Sequence, residues 1–436
     1  MQKLKFHPKA RENFNKISEE IYNDLIILKK DNVKSKKPIN QSKYITQIDP
    51  KDIIGEITLR SVNYFGERKS IKFSHKDDMV KIDENNYKKL RILSEKITMI
   101  KENSPFVSKE YVEEKIIDWI HKKLNDSSFS MFIDYLSLKA DDDIQEHIIW
   151  IPLPSIIICS DIKIGEVTLK KFDDNFCDYW KQNQVVQFGE LKKIHNQTFA
   201  SIIVIAEPIK AKELAKNKIE ATLSLLSLFS PAAFDPRALS YCSIYSKNTK
   251  NSLELWELDN TYKKLTSSES LVFEGSPFWQ IDETFKKIIE SVSPLINSLL
   301  NSPLISFQKD LFDAIVYFSK STLVSDFSDK LVYILVALET LLLNNSSPPI
   351  LETVSRRLAF FLGKDIDGRK RIMKNFKDTY TLRSKFIHHG KTIQDIETFK
   401  EFLDIARLLF LKLLTNQKKY SSIQELIDEI EDRSLS

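Results

Sequence analysis

Apolar residues recur at helical spacing near the start of the chain, where Phe14, Ile17, Ile21, Leu25 and Leu28 fall on one stripe. From Ile53 to Phe73 the period shortens to two and Ile, Thr, Val and Phe alternate with polar residues, which predicts strands. Tyr87–Ile100 and Lys109–Leu124 return to helical spacing, the second with Tyr111, Ile116, Ile117 and Ile120 along one side. Strands are predicted again at Phe129–Leu138, His147–Ile158 and Thr198–Glu207. Leu214–Phe229 reads as a strongly apolar helix that stops ahead of Pro231. Tyr241–Tyr245 and Ser252–Leu258 read as further strand pieces. The run Ile54-Gly55-Glu56-Ile57-Thr58-Leu59-Arg60 is echoed by Ile164-Gly165-Glu166-Val167-Thr168-Leu169-Lys170, which fits a duplicated Gly-led strand or coincidence.

Near Glu274-Gly275-Ser276-Pro277 the pattern turns to helix throughout. Helices are predicted over 281–300, 305–323, 326–344, 351–362, 369–389 and 395–416. Asn344–Pro349 is a polar break, Gly363 a helix stop, and Ser422 with Glu425 a capping box for a last short helix. The fold class expected is an α+β N-terminal region over 1–275, an all-α antiparallel bundle over 276–416, and a short helix with tail at 417–436.

Composition narrows the classes. A chain of 436 residues, 42% hydrophobic, can bury a sizeable core in two or three domains. Its net charge of +4 permits a local nucleic-acid patch without requiring one. Lys29, Lys30, Lys34, Lys36 and Lys37 fit a phosphate-contacting arm, but such runs are more often solvated loops. The acidic run Asp141-Asp142-Asp143 is better read as a hairpin tip than as a metal site, because neighbouring carboxylates on a loop rarely converge on one ion. Cys159, Cys177 and Cys242 have no metal-ligand spacing, which argues against zinc knuckles and disulfide scaffolds and suits a cytoplasmic setting. The first residues lack the apolar core of a signal peptide, and no apolar run approaches the roughly 20 residues of a membrane span.

Polar residues interrupt the apolar faces of the helical part at three places. Glu339 lies inside Leu331–Leu343, Arg356-Arg357 inside the fourth helix, and Arg383 on a stripe with Ile372, Phe376, Tyr380 and Ile387. An arginine on a core-facing stripe is costly unless paired, because it cannot shed its charge. Two arrangements satisfy it. Glu339 could pair with Arg356, Arg357 or Arg383 as a core ion pair, with His388 and His389 capping a helix end before Gly390. Alternatively the cation and an imidazole serve a phosphodiester.

The succession Ala337-Leu338-Glu339, Ser355-Arg356-Arg357-Leu358-Ala359-Phe360-Phe361-Leu362-Gly363 and Tyr380-x-Leu382-Arg383-Ser384-Lys385-Phe386-Ile387-His388 resembles the Apea-like branch of the HEPN family. The resemblance covers roughly 305–415, so the bundle is expected to be HEPN-like. The family's Arg, four intervening residues and His fall on Arg383 and His388, and His389 also meets its looser spacing. Gly390 stands where the HEPN toxins paired with nucleotidyltransferase antitoxins carry a tyrosine.

The resemblance implies a metal-independent endoribonuclease without cofactors, assembled as a homodimer, with RNA (tRNA among the candidates) as substrate. It makes Arg383 and His388 catalytic, with Glu339, Arg356 and His389 supporting them. By the same analogy the N-terminal region would sense a trigger and the chain would act in anti-phage defence. The rival expectation is a non-catalytic HEPN-like module that binds a nucleotide, RNA or a protein partner. A third is a plain dimerisation bundle, with the functional site in the N-terminal region.

Overall fold

The computed structural model describes residues 4–28, 58–62, 68–75, 78–153, 155–172, 197–239, 242–244, 256–258, 265–267, 279–300, 303–343, 349–389 and 395–435. The lysines of 29–37, Ile54–Ile57 of the first Gly-led strand, Cys177 and Gly390 lie outside these residues. The chain forms two compact units, one of residues 1–146 with 205–212, the other of 147–204 with 213–436.

In the first unit, helix α1 (Pro8–Asn23) opens on a proline and buries Phe14, Ser18 and Ile21, one turn apart. Strands β1 (Ile26–Leu28), β2 (Thr58–Val62), β3 (Arg68–His75) and β4 (Asp78–Ile82) form an antiparallel sheet in the order β1-β4-β3-β2. Helix α2 (Glu84–Thr98) starts where the Asp83 carboxylate accepts from Asn86 N at 2.9 Å. Helix α3 (Lys109–Asn125) starts where Ser108 Oγ accepts from Tyr111 N. Phe73, Leu90, Trp119, Ile120 and Leu136 belong to the core of this unit.

Phe129–Leu138, expected as a strand, is instead largely helix α4 (Phe132–Asp143). Phe132, Ile133, Tyr135, Leu136 and Ala140 are buried at helical spacing while Leu138 is 62% exposed, so the longer period wins over strand-like composition. Asp141–Asp143 therefore end a helix rather than tip a hairpin. Asp143 accepts from the Tyr111 hydroxyl at 2.8 Å and pairs with Lys115 at 2.9 Å.

In the second unit, β5 (Gln145–Pro152), β7 (Ile162–Ile164), β8 (Val167–Lys171), β9 (Thr198–Ala206), β10 (Trp256–Leu258) and β11 (Leu265–Ser267) form a sheet ordered β11-β10-β5-β9-β8-β7. β5 and β9 begin or end in the first unit. Helix α5 (Pro208–Leu226) follows β9, and the fully buried Glu207 carboxylate caps it by accepting from Ile209 N and Lys210 N. The second Gly-led run is not one strand but the β7–β8 hairpin, turning at Gly165 with φ +62. Cys242–Ile244 form no strand; Ser243 and Ile244 donate to the Glu220 carboxylate instead.

The region after Glu274 is not helical from its start. Strand β12 (Trp279–Ile281) pairs in parallel with β6 (Ile156–Ile158), fixed by Trp279 N to Ser155 O at 2.8 Å and Cys159 N to Ile281 O at 3.1 Å. Among the described residues seven helices follow: α6 (Glu283–Leu300), α7 (Ser306–Leu323), α8 (Phe327–Leu342), α9 (Ile350–Leu362), α10 (Ile366–His389), α11 (Ile396–Thr415) and α12 (Ile423–Leu435). The change of character read near residue 275 is thus a change of secondary structure inside the second unit. α7 packs on α8, α9 on α10 and α12, and α10 on α11, around Phe307, Phe318, Leu338, Phe376, Phe402 and Phe410. Gly363 ends α9 as expected, for a different reason. Its φ of −72 is not left-handed, but a Cβ there would meet Arg369 Cγ at 2.7 Å and Ala359 O at 2.8 Å. The capping box of α12 is split: Ser422 Oγ accepts from Glu425 N, while the Glu425 carboxylate accepts from Ser421 N. Among the described residues no helix is long and apolar enough to cross a membrane.

Candidate functional site

Helix α10 carries the Arg–His motif. It is buried at Ile372, Asn375, Phe376 and Thr379, so the buried face runs through 375 and 379 rather than on to 383. Tyr380, Leu382 and Arg383 are half-buried, at the margin of the core. Arg383 Nη1 donates to the Tyr380 hydroxyl at 3.3 Å, and the guanidinium carbon lies 5.3 Å from the Tyr380 ring centroid. The ring itself stacks on Phe376 at 6.3 Å and 25°. A chain of contacts thus runs from the core to the guanidinium.

Helix α8 faces this site. The Asp326 carboxylate caps it by accepting from Ser328 N and Asp329 N, and Leu331, Ile334, Leu335, Leu338 and Leu341 anchor its inner face. Glu339 is half-buried on the same helix. Burial raises its carboxyl above the usual range, and the Arg383 charge pulls the other way. The two groups feel each other, yet among the described residues neither makes an ion pair within 4.0 Å. The core ion pair open to Glu339 from the sequence is therefore absent among the described residues.

Arg356 and Arg357 turn elsewhere. Arg356 Nη2 meets Glu431 Oε2 of α12 at 2.5 Å, and Arg357 Nε meets Glu431 Oε1 at 2.9 Å. Arg357 Nη1 also donates to Leu342 O, the last residue of α8, at 2.7 Å. Of the two arginines, Arg357 touches the helix that carries Glu339, while Arg356, expected as a supporting residue, pairs with Glu431. His388 and His389 belong to α10, and their side chains lie outside the described residues.

Two residues at the site were not assigned roles by sequence reasoning. Tyr380 was visible as a stripe residue, and its spacing of three before Arg383 is the signal that could have found it. Asn375 is 4% exposed and donates to Thr398 O at 3.0 Å and Glu401 Oε2 at 3.1 Å, tying α10 to α11. A lone amide in a helical pattern gave no such signal. Chemically, the arrangement offers a fork of N–H donors whose charge no carboxylate among the described residues neutralises directly. Among the described residues no group of three His, Cys, Asp or Glu side chains converges as a metal site.

Comparison with family models, with curated proteins and with solved structures finds no match.

Proposed function

We propose that this chain is a metal-independent endoribonuclease of HEPN-like type, working as a homodimer in anti-phage defence. One observation carries the reading. Arg383 is half-buried, braced by Tyr380, and free of any carboxylate within 4.0 Å among the described residues, beside a Glu339 that burial biases toward its neutral form. A guanidinium left in that condition is suited to a phosphate, whose two oxygens match its fork.

His388 follows five positions later on the same helix. In the reaction proposed, an imidazole takes the proton of a ribose 2′-hydroxyl. The oxygen attacks phosphorus, the P–O5′ bond breaks, and an imidazolium of the partner copy protonates the departing O5′. Arg383 stabilises the charge that builds on the phosphorane. The products are a 2′,3′-cyclic phosphate and a 5′-hydroxyl. The first unit and the sheet of the second are assigned to sensing a trigger, and RNA, tRNA among it, to the substrate.

The test is incubation of the purified full chain with total RNA, with and without chelator, followed by mapping of new ends. Cyclic-phosphate ends that persist in chelator and vanish in both Arg383→Ala and His388→Ala are expected. Full cleavage by both variants, or strict dependence on a divalent ion, overturns the reading. RNA binding without cleavage would move the chain to the non-catalytic module.

A further inference from the structure

The second unit holds a cavity of about 170 Å³ away from the Arg383 site, among the β7–β8 turn, α5 and α6. Val167, Ala221 and Leu300 supply apolar lining. At its edge Lys218 Nζ meets Glu166 Oε2 at 2.5 Å, so the two charges present cancel each other. Thr222, whose hydroxyl donates to Lys218 O at 2.8 Å, the exposed Asn217 and the half-buried Asn297 complete the lining, and among the described residues neither carboxamide has a hydrogen-bond partner. Each amide therefore offers both a donor and an acceptor to whatever enters.

The position of Asn297 follows from the turn. A Cβ on Gly165 would lie 2.6 Å from Asn297 Oδ1, so this amide occupies space that only glycine leaves open. The same glycine has φ +62, a conformation side-chain-bearing residues rarely adopt. Turn geometry and amide placement thus come from one residue.

Size, charge and polarity together select a ligand. A cavity of about 150 Å³ takes a benzene-sized ring, so this one admits a single ring rather than a large ligand. Cancelled charges disfavour an ion, because nothing remains to offset its desolvation. Two free carboxamides favour a partner that presents a donor and an acceptor side by side. We infer that this cavity binds a neutral monocyclic heterocycle with an amide or imide edge, the chemistry of a pyrimidine base. The inference does not depend on RNA cleavage.

Isothermal titration of the full chain with uracil, cytosine and 1,3-dimethyluracil tests it. Saturable one-to-one binding of uracil or cytosine is expected, and weaker binding of 1,3-dimethyluracil, whose N–H donors are blocked. Asn297→Leu should weaken binding about two- to tenfold, the worth of a neutral hydrogen bond. Ala221→Phe should abolish it by filling the space. Circular dichroism shows whether each variant is folded, and Asn297→Leu stands alone if Ala221→Phe is not. Absence of saturable binding by both uracil and cytosine overturns the inference, as does unchanged affinity in a folded Ala221→Phe or in Asn297→Leu.

Discussion

The guanidinium of Arg383 rests against the Tyr380 side chain one helical turn before it, donating to the hydroxyl at 3.3 Å while its carbon lies 5.3 Å from the ring centroid. Tyr380 is in turn stacked on Phe376, which is 1% exposed, so the orientation of the charge is referred to the core. Removing the hydroxyl alone should therefore loosen the arginine without removing its charge. Tyr380→Phe is expected to lower kcat/KM for RNA cleavage about two- to tenfold, with Arg383→Lys costing more because the fork is lost. Cleavage at the wild-type rate by Tyr380→Phe would remove the tyrosine from the positioning of Arg383.

Glu339 supplies a pH prediction. Burial raises its carboxyl, with Arg383 opposing, so the folded state holds this proton more tightly than the unfolded chain. The cost to stability is absent below the ordinary carboxylate value of 4.5 and fully present above the raised folded value. Glu339→Gln should accordingly unfold at higher urea than wild type at pH 7. The difference should shrink as pH falls toward 4.5. A difference constant with pH would show that the carboxyl is not the cause.

Lys330 runs with the opposite sign. It is 3% exposed, donates to Ala238 O at 2.7 Å, and burial brings its amine down to about 8, with Asp235 opposing. Folding then favours loss of the proton, and the cost is fully present below pH 8. Between about 8 and the ordinary 10.5, wild type should gain stability relative to Lys330→Met, by up to roughly 3 kcal/mol. Urea titrations at pH 7 and pH 10 of both proteins measure this directly.

Glu431 holds two arginines at once, and their exposure ranks the outcomes. The Arg357 side chain is 15% exposed and the Arg356 side chain 43%. Glu431→Gln should destabilise by about 1–3 kcal/mol because it strands a mostly buried guanidinium. Arg357→Ala should cost more than Arg356→Ala, since only Arg357 also satisfies Leu342 O. Equal losses from the two arginine variants would contradict that ranking.

How much of this was legible in advance varies with the range of the interaction. Helices 306–323 and 327–342 lie within two residues of the spans expected from periodicity, because long apolar stripes and the Asp326 cap are local signals. The segment 129–138 was misread because its aromatic and branched residues suit either period, and the exposure of Leu138 that decides between them is a tertiary fact. At the candidate site, Arg383 and Glu339 stand out as charges inside apolar patterns, and both are half-buried. The choice of Glu431 by Arg356 and Arg357 could not be read, since the carboxylate belongs to a helix far along the chain and looks like any exposed acid. Strand β12 was missed because its signal is only three residues long.

That short strand decides how the helical part can be handled. Trp279 and Ile281 are 2% and 0% exposed, and their neighbours on the sheet come from residues 156–158, synthesised long before. A truncation product starting near residue 276 would carry these apolar groups and an open strand edge into solvent, a template for self-association. On the ribosome, too, β6 waits for β12 to emerge, because the two strands form a two-stranded sheet.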